Sequence, residues 1–139
     1  MENCIFCKIV KGEIPCFKIF EDDKVLAFAD INPITDGHLL IIPKKHAENI
    51  WETSEEDLLA IHRTSKKLAQ AIKSALNPDG VAVLQLNGRG VNQVVMHYHL
   101  HLIPHISGAP KLTMTDWQLI PGDKEKIKQN AAKITAAIK

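Results

Sequence analysis

Apolar residues recur along this chain with two periods, and the switches between them mark its elements. Cys16 to Glu21 (Cys-Phe-Lys-Ile-Phe-Glu) alternates apolar with polar, Asp22-Asp23 is a turn, and Lys24 to Ala29 reads as the hairpin partner. Asp30-Ile31-Asn32-Pro33 breaks that strand, Asp36-Gly37 is a second turn, and His38 to Pro43 is a strongly apolar strand. From about Ser54 to Leu76 the period lengthens. Leu58, Ile61, Leu68, Ile72 and Leu76 fall near helical spacing, with Lys66, Lys67 and Lys73 elsewhere on the surface. Thr53 or Ser54 is placed to cap this helix, with Glu56 or Asp57 three residues on, and Asn77-Pro78-Asp79-Gly80 stops it. Val81 to Leu86 is again a strand, and Asn87-Gly88-Arg89-Gly90 a loop. A short helix is expected over residues 3–11, ended by Gly12, and a lysine- and alanine-rich helix over residues 123–139 with Ile127, Ile134 and Ile138 on one side. Short turns between strands, interrupted by one long helix, predict an α+β fold: a largely antiparallel sheet with helices on one face.

The last strand carries the chemistry. In His97-Tyr98-His99-Leu100-His101-Leu102-Ile103-Pro104-His105, three histidines stand at alternate positions. The period of a strand puts their rings on one face and Tyr98, Leu100 and Leu102 on the other. Imidazoles need polar partners and pack poorly, so such a face suits phosphate, metal or nucleophilic attack. Pro104 is expected to end regular pairing, leaving His105 at the rim.

At 139 residues the chain is long enough for one domain with a core. Hydrophobic content of 45% and charged content of 24% are those of an ordinary globular protein. A formal net charge of +1 gives no general field for polyanions, which argues against nucleic acid as a partner. There is no apolar run long enough for a membrane span and no basic-then-apolar leader, so cytoplasmic residence is expected. Cys4, Cys7 and Cys16 are an odd number for a disulfide framework. Cys4-Ile5-Phe6-Cys7 is open between metal binding, redox chemistry and coincidence. Its N-terminal position lacks the strand-then-helix setting of a redox pair. Two thiolates at this spacing can share one zinc, which then needs two further ligands. Candidates are His46, His97 and His62, the last reading better as a helix-surface residue. Four protein ligands would leave no open position, so the role would be structural.

The His97-x-His99-x-His101 run resembles the signature of the histidine triad (HIT) family of nucleotide-binding proteins. Further matches are Cys4-x-x-Cys7-Lys8-Ile9, Gly12-Glu13-Ile14-Pro15, Ala27-Phe28-x-Asp30-Ile31-x-Pro33, Gly37-His38-x-Leu40-x-Ile42-Pro43-Lys44-x-His46 and Asn87-Gly88. The resemblance is to the small branch that contains adenosine phosphoramidases, in its zinc-containing bacterial type. It covers residues 1–110 as a nucleotide-binding domain and leaves 111–139 as a C-terminal extension with a helix. It implies a five-stranded antiparallel sheet with one long helix, a homodimer, and a purine nucleotide beside the triad. Carried over, His99 is the nucleophile, and His38 and His101 contact the phosphate. Asp30 accepts from the ribose hydroxyls, Phe28 and Ile31 flank the base, and Asn87 and Gln93 contact the phosphate region. The same resemblance implies zinc held by Cys4, Cys7, His46 and His97.

The reaction so implied is attack by neutral His99 on the α-phosphorus of a nucleoside phosphoramidate or anhydride, a nucleotidyl-histidine intermediate, and release of the monophosphate by water. One departure stands out: Asn92-Gln93-Val94 lacks the hydroxyl that phosphoramidases of this branch carry at the last position. Valine there favours a regulator that binds purine nucleotide without turnover; a dinucleoside polyphosphate hydrolase, whose better leaving groups need less help from a proton donor, is a second alternative. A plain zinc-binding adaptor is another. Among the remaining candidates, Lys44-Lys45 reads as solvated, Cys16 as a small buried hydrophobe, and Trp51 as partly buried in the core. Trp117 is a candidate for stacking on a base or for a dimer contact.

Overall fold

The structure, a computed structural model, describes residues 3–115 and 118–139. Trp117 lies outside the described residues. The chain divides into two compact units, Met1–Ala109 and Pro110–Lys139.

The first unit is built on a five-stranded antiparallel sheet. Its strands are β1 (Lys18–Glu21), β2 (Val25–Ala29), β3 (Leu39–Pro43), β4 (Gly80–Gln85) and β5 (Leu100–His105), in spatial order β1-β2-β3-β5-β4. The helices are α1 (Ile5–Val10) and α2 (Glu55–Leu76). Ser54 caps α2 by accepting from the Asp57 N–H, and Asn77 ends it in the left-handed conformation. Among the described residues no helix is long and apolar enough to cross a membrane.

Alternation along β2 and β3 feeds two cores. Val25, Ala27, Leu39 and Ile41 meet Ile61, Leu68 and Ile72 of α2 on one face, together with Tyr98, Leu100 and Leu102. On the other face Leu26, Phe28, Leu40 and Ile42 meet Phe6 of α1, with Ile9 and Val10 packed against them. Helices on one face only was therefore the wrong expectation. β2 and β3 are apolar at both parities, and a strand of that kind needs cover on both sides.

Two further expectations are corrected. The ladder of β5 runs on through Pro104, which lies opposite Val81. The pairing with β3 has already ended at Leu39 opposite Leu102, so beyond that point only one flank needs ladder bonds, where proline is tolerated. Trp51 is 78% exposed rather than partly buried, because the segment after Ala47 turns across the surface through bonds to Asn49.

Gly37 shows how tightly the turn into β3 is built. Its φ of +87° is left-handed, and a Cβ there would lie 2.5 Å from Leu76 Cδ1 and 3.2 Å from Pro104 Cγ. Gly37→Ala should therefore cost about 1–2 kcal/mol in backbone strain alone, read as a fall in the urea midpoint at unchanged slope.

In the second unit α3 (Lys124–Ala137) is capped by Asp123, whose carboxylate accepts from the Glu125 and Lys126 N–H groups. Ile127, Ile134 and Ile138 are exposed.

Candidate active site and metal centre

The three histidines share a face as alternation predicts, but only His101 sits in the sheet ladder. β5 begins at Leu100, and residues 97–99 lead into it without ladder pairing. Their bonds go elsewhere. The Tyr98 N–H donates to the Ala47 carbonyl (2.7 Å), and His97 Nε2 donates to the Pro43 carbonyl (2.8 Å).

Each ring's tautomer follows from what its partner can do. His99 Nδ1 lies 2.7 Å from the backbone carbonyl of His97, which can only accept, so Nδ1 carries the proton and Nε2 the lone pair. The Ile34 N–H donates to His38 Nδ1 (3.0 Å), which leaves the proton of His38 on Nε2. That atom lies 2.9 Å from His101 Nδ1, which accepts, so the proton of His101 is on Nε2. Ile34, His38 and His101 form a relay that ends in an N–H donor on His101, and beside it His99 offers a nitrogen with a free lone pair. Among the described residues no fully buried side-chain nitrogen or oxygen lacks a hydrogen-bond partner. Nε2 of His99 and of His101 make no bond in the relay, so both reach the surface.

Burial is the main reason the rings stay neutral. It lowers the pKa of His99 and His38 below the usual histidine value and that of His101 to about 4, with the neighbouring His99 and His38 adding to the effect on His101. The Asp30 carboxylate opposes this in all three. Asp30 Oδ2 is 3.5 Å from His38 Nε2, while its Oδ1 accepts from the Asn32 N–H (2.8 Å). A histidine depressed in this way binds its proton more readily in the unfolded chain. Its contribution to stability is complete above about 6.5 and is lost as pH falls towards the native value. The melting temperature should accordingly be lower at pH 5 than at pH 7; a profile that is flat or rises towards pH 5 would contradict the neutral assignment.

The other predicted residues make bonds and contacts of their own. Phe28 is buried in the second core, and Ile31, next to Asp30, is exposed. Asn87 accepts from the Ile50 N–H (2.7 Å) and exchanges bonds with Gln85. Gln93 is buried and braces the loop before β5: its Oε1 accepts from the Gly88 N–H (2.7 Å), and its amide donates to the carbonyls of Glu48 and Val95. Val94 is exposed, and so is His62 on α2.

Four ligand atoms converge at the N-terminal end. Those of Cys4, Cys7, His46 and His97 lie within 4.8 Å of one another. Cys4 Sγ is 3.4 Å from His97 Nδ1, Cys7 Sγ is 3.5 Å from it, His46 Nδ1 is 3.2 Å from Cys7 Sγ, and the two Nδ1 atoms are 3.3 Å apart. A tetrahedral ion with the usual bonds to sulfur and imidazole has edges of about 3.3 Å between nitrogens and about 3.5 Å between nitrogen and sulfur. The donor set fits such an ion. His97 Nε2 donates to Pro43, which turns the Nδ1 lone pair towards the cluster. Burial pushes the pKa of His97 down to about 4, which keeps that ligand neutral. The Cys7 thiol is pushed up to about 11 by burial and then by Cys4, so this sulfur needs a cation to become a thiolate. Asp30, His38 and His101 also lie close enough to share an ion, but His38 Nε2 and His101 Nδ1 are already bonded to each other.

Phe6 escaped the sequence reading. Its ring stands edge-on to His97 (5.9 Å between centroids), to His99 (5.2 Å) and to Phe28 (5.5 Å). The available signal was its position inside the cysteine pair: once Cys4 and Cys7 sit beside His97, the residue between them must lie close to the triad. The backbone carbonyls of His97 and Pro43 could not have been found that way.

A family model described as the HIT domain matches residues 11–108. The chain belongs to the histidine triad family. It is 42% identical to the HIT protein of Bacillus subtilis, covering 98% of this chain and 97% of that one. It is 43% identical to an adenosine 5'-monophosphoramidase of Schizosaccharomyces pombe, covering 99% of both. Among solved structures, a HIT family protein from Bacillus anthracis superposes with a TM-score of 0.83 at 38% identity, covering 99% of each chain. The HIT-fold expectation, a five-stranded antiparallel sheet with one long and two shorter helices, is thereby met.

Proposed function

We propose that this protein is a nucleotide hydrolase that cleaves nucleoside phosphoramidates, or related esters and anhydrides, at the α-phosphorus and releases the nucleoside monophosphate. The observation that carries the reading is the bond from His99 Nδ1 to the His97 carbonyl, since it leaves an unprotonated, accessible Nε2 at neutral pH. That nitrogen attacks phosphorus as the bond to the leaving group breaks, giving a nucleotidyl-histidine that water then opens. His101 Nε2–H donates to a non-bridging oxygen, and His38 holds His101 in the tautomer that can do so. Asp30 accepts from the ribose hydroxyls, Phe28 and Ile31 flank a purine, and Asn87 and Gln93 fix the loop around the phosphate. The S. pombe relative's named activity supports adenosine as the nucleoside.

The metal in this reading is zinc, held by Cys4, Cys7, His46 and His97 in a structural role, because two thiolates and two imidazoles suit it and leave no open position. The protein would act as a cytoplasmic homodimer. In support, β4 is an edge strand with Val83 exposed, and the cysteines are unpaired.

Incubation with adenosine phosphoramidate and, separately, with diadenosine polyphosphates tests the reaction, with AMP as the readout. Release from the first is expected. Release only from the second would favour the polyphosphate reading, to which Val94 points because a better leaving group needs less help from a proton donor. Tight AMP binding with no release from either would leave a regulator.

A further inference from the structure

His97 touches both centres, and with opposite ends. Its ring reaches the Cys/His cluster through Nδ1 and the Pro43 carbonyl through Nε2, while its backbone carbonyl accepts from the nucleophile, His99. Because β5 starts only at Leu100, no ladder bond fixes that carbonyl; its direction is set by the Tyr98 N–H bond to Ala47 and by the anchored ring. A second connection runs through α1. This helix has six residues, too few to be stable alone, and the cysteines at its start pin it down. Phe6, between them, meets the His99 ring edge-on at an interplanar angle of 86° and packs against it.

We infer that the Cys4, Cys7, His46 and His97 centre acts as a clamp on the tautomer of His99, with His97 as the positioning residue that transmits it. This rests on the reading of His99 as nucleophile, and it gives the centre a task beyond holding the N-terminus. The physical reason lies in the ring itself. A histidine side chain in water prefers the tautomer protonated at Nε2, which has no lone pair to offer phosphorus there. The His97 carbonyl, as the partner of Nδ1, reverses that preference. When the centre is empty, His97 loses its Nδ1 anchor and Phe6 its backstop, so the His99 ring relaxes towards the unreactive form.

Long-range proton–nitrogen spectra of the full chain carrying ¹⁵N-histidine read each tautomer directly. With zinc bound, His99 should show a single form protonated at Nδ1. After chelation the Nε2-protonated form should appear and become the larger population, and added zinc should reverse the change. In parallel, kcat should fall about tenfold or more on chelation, while AMP affinity changes by less than about threefold. If stripping melts the sheet, His46→Gln takes its place, because it weakens the centre and leaves His97, Pro43 and Phe6 intact. A His99 that stays protonated at Nδ1 in stripped, folded protein or in His46→Gln overturns the clamp, as does failure of the full chain to bind zinc. The spectra need no turnover. A tautomer that follows zinc in a protein cleaving neither substrate would overturn the proposed reaction and leave the clamp standing.

Discussion

His99→Ala should lower kcat for AMP release by at least about four orders of magnitude, the scale seen when a nucleophile is removed from a pre-organised site. AMP binding should survive within a few-fold. Of the His38, His99 and His101 rings, the substitution deletes the one with a free lone pair, while His38, His101 and Asp30 keep their mutual contacts. It also frees the His97 carbonyl, whose partner is lost. Water can occupy the vacated space and satisfy that carbonyl, so folding should be little affected. Steady-state kinetics together with AMP titration separate the two quantities. Turnover within tenfold of the parent would show that another group attacks phosphorus, and His101 would be examined next.

Removal of the metal should have the second largest effect, this time on stability. An ion held at a thousandfold above its dissociation constant adds about 4 kcal/mol to the folded state. For a chain of this size that corresponds to a fall on the order of 10 °C in melting temperature after chelation. Cys7→Ser should reproduce most of the loss and should no longer respond to chelator. The mechanism is local. Without an ion the buried Cys7 thiol stays protonated, the ligands lose the charge that draws them together, and α1 is held chiefly by Phe6. Thermal unfolding followed by circular dichroism, with and without chelator, makes the comparison. A melting temperature unchanged by chelator in zinc-loaded protein would remove the structural role.

The sheet elements were legible because their signal is local. Alternation in 18–21, the apolar runs of 25–29 and into Pro43, and the helical period from Leu58 to Leu76 are each properties of a few neighbouring residues, and burial on either face enforces them. Covering of both faces by helices was less legible. The six residues of α1 carry too little periodicity to show which side of the sheet they join. The strand through Pro104 was misjudged because tolerance of a proline depends on which neighbour still pairs at that point. Trp51 was misjudged because aromatic character alone does not say where a surface turn will point.

Residue types and spacing alone thus determined the alternation, the cysteine pair and the three imidazoles that share a side, since these follow from backbone periods and side-chain chemistry. The tertiary structure alone decided which ring keeps a free lone pair at Nε2 and which carries the N–H donor. That choice is made by the carbonyl oxygen of His97 and the amide hydrogen of Ile34, backbone groups that no sequence pattern distinguishes. It also decided that Cys4 and Cys7 meet His46 and His97, because bringing together atoms 39 to 93 positions apart requires the whole sheet to be in register.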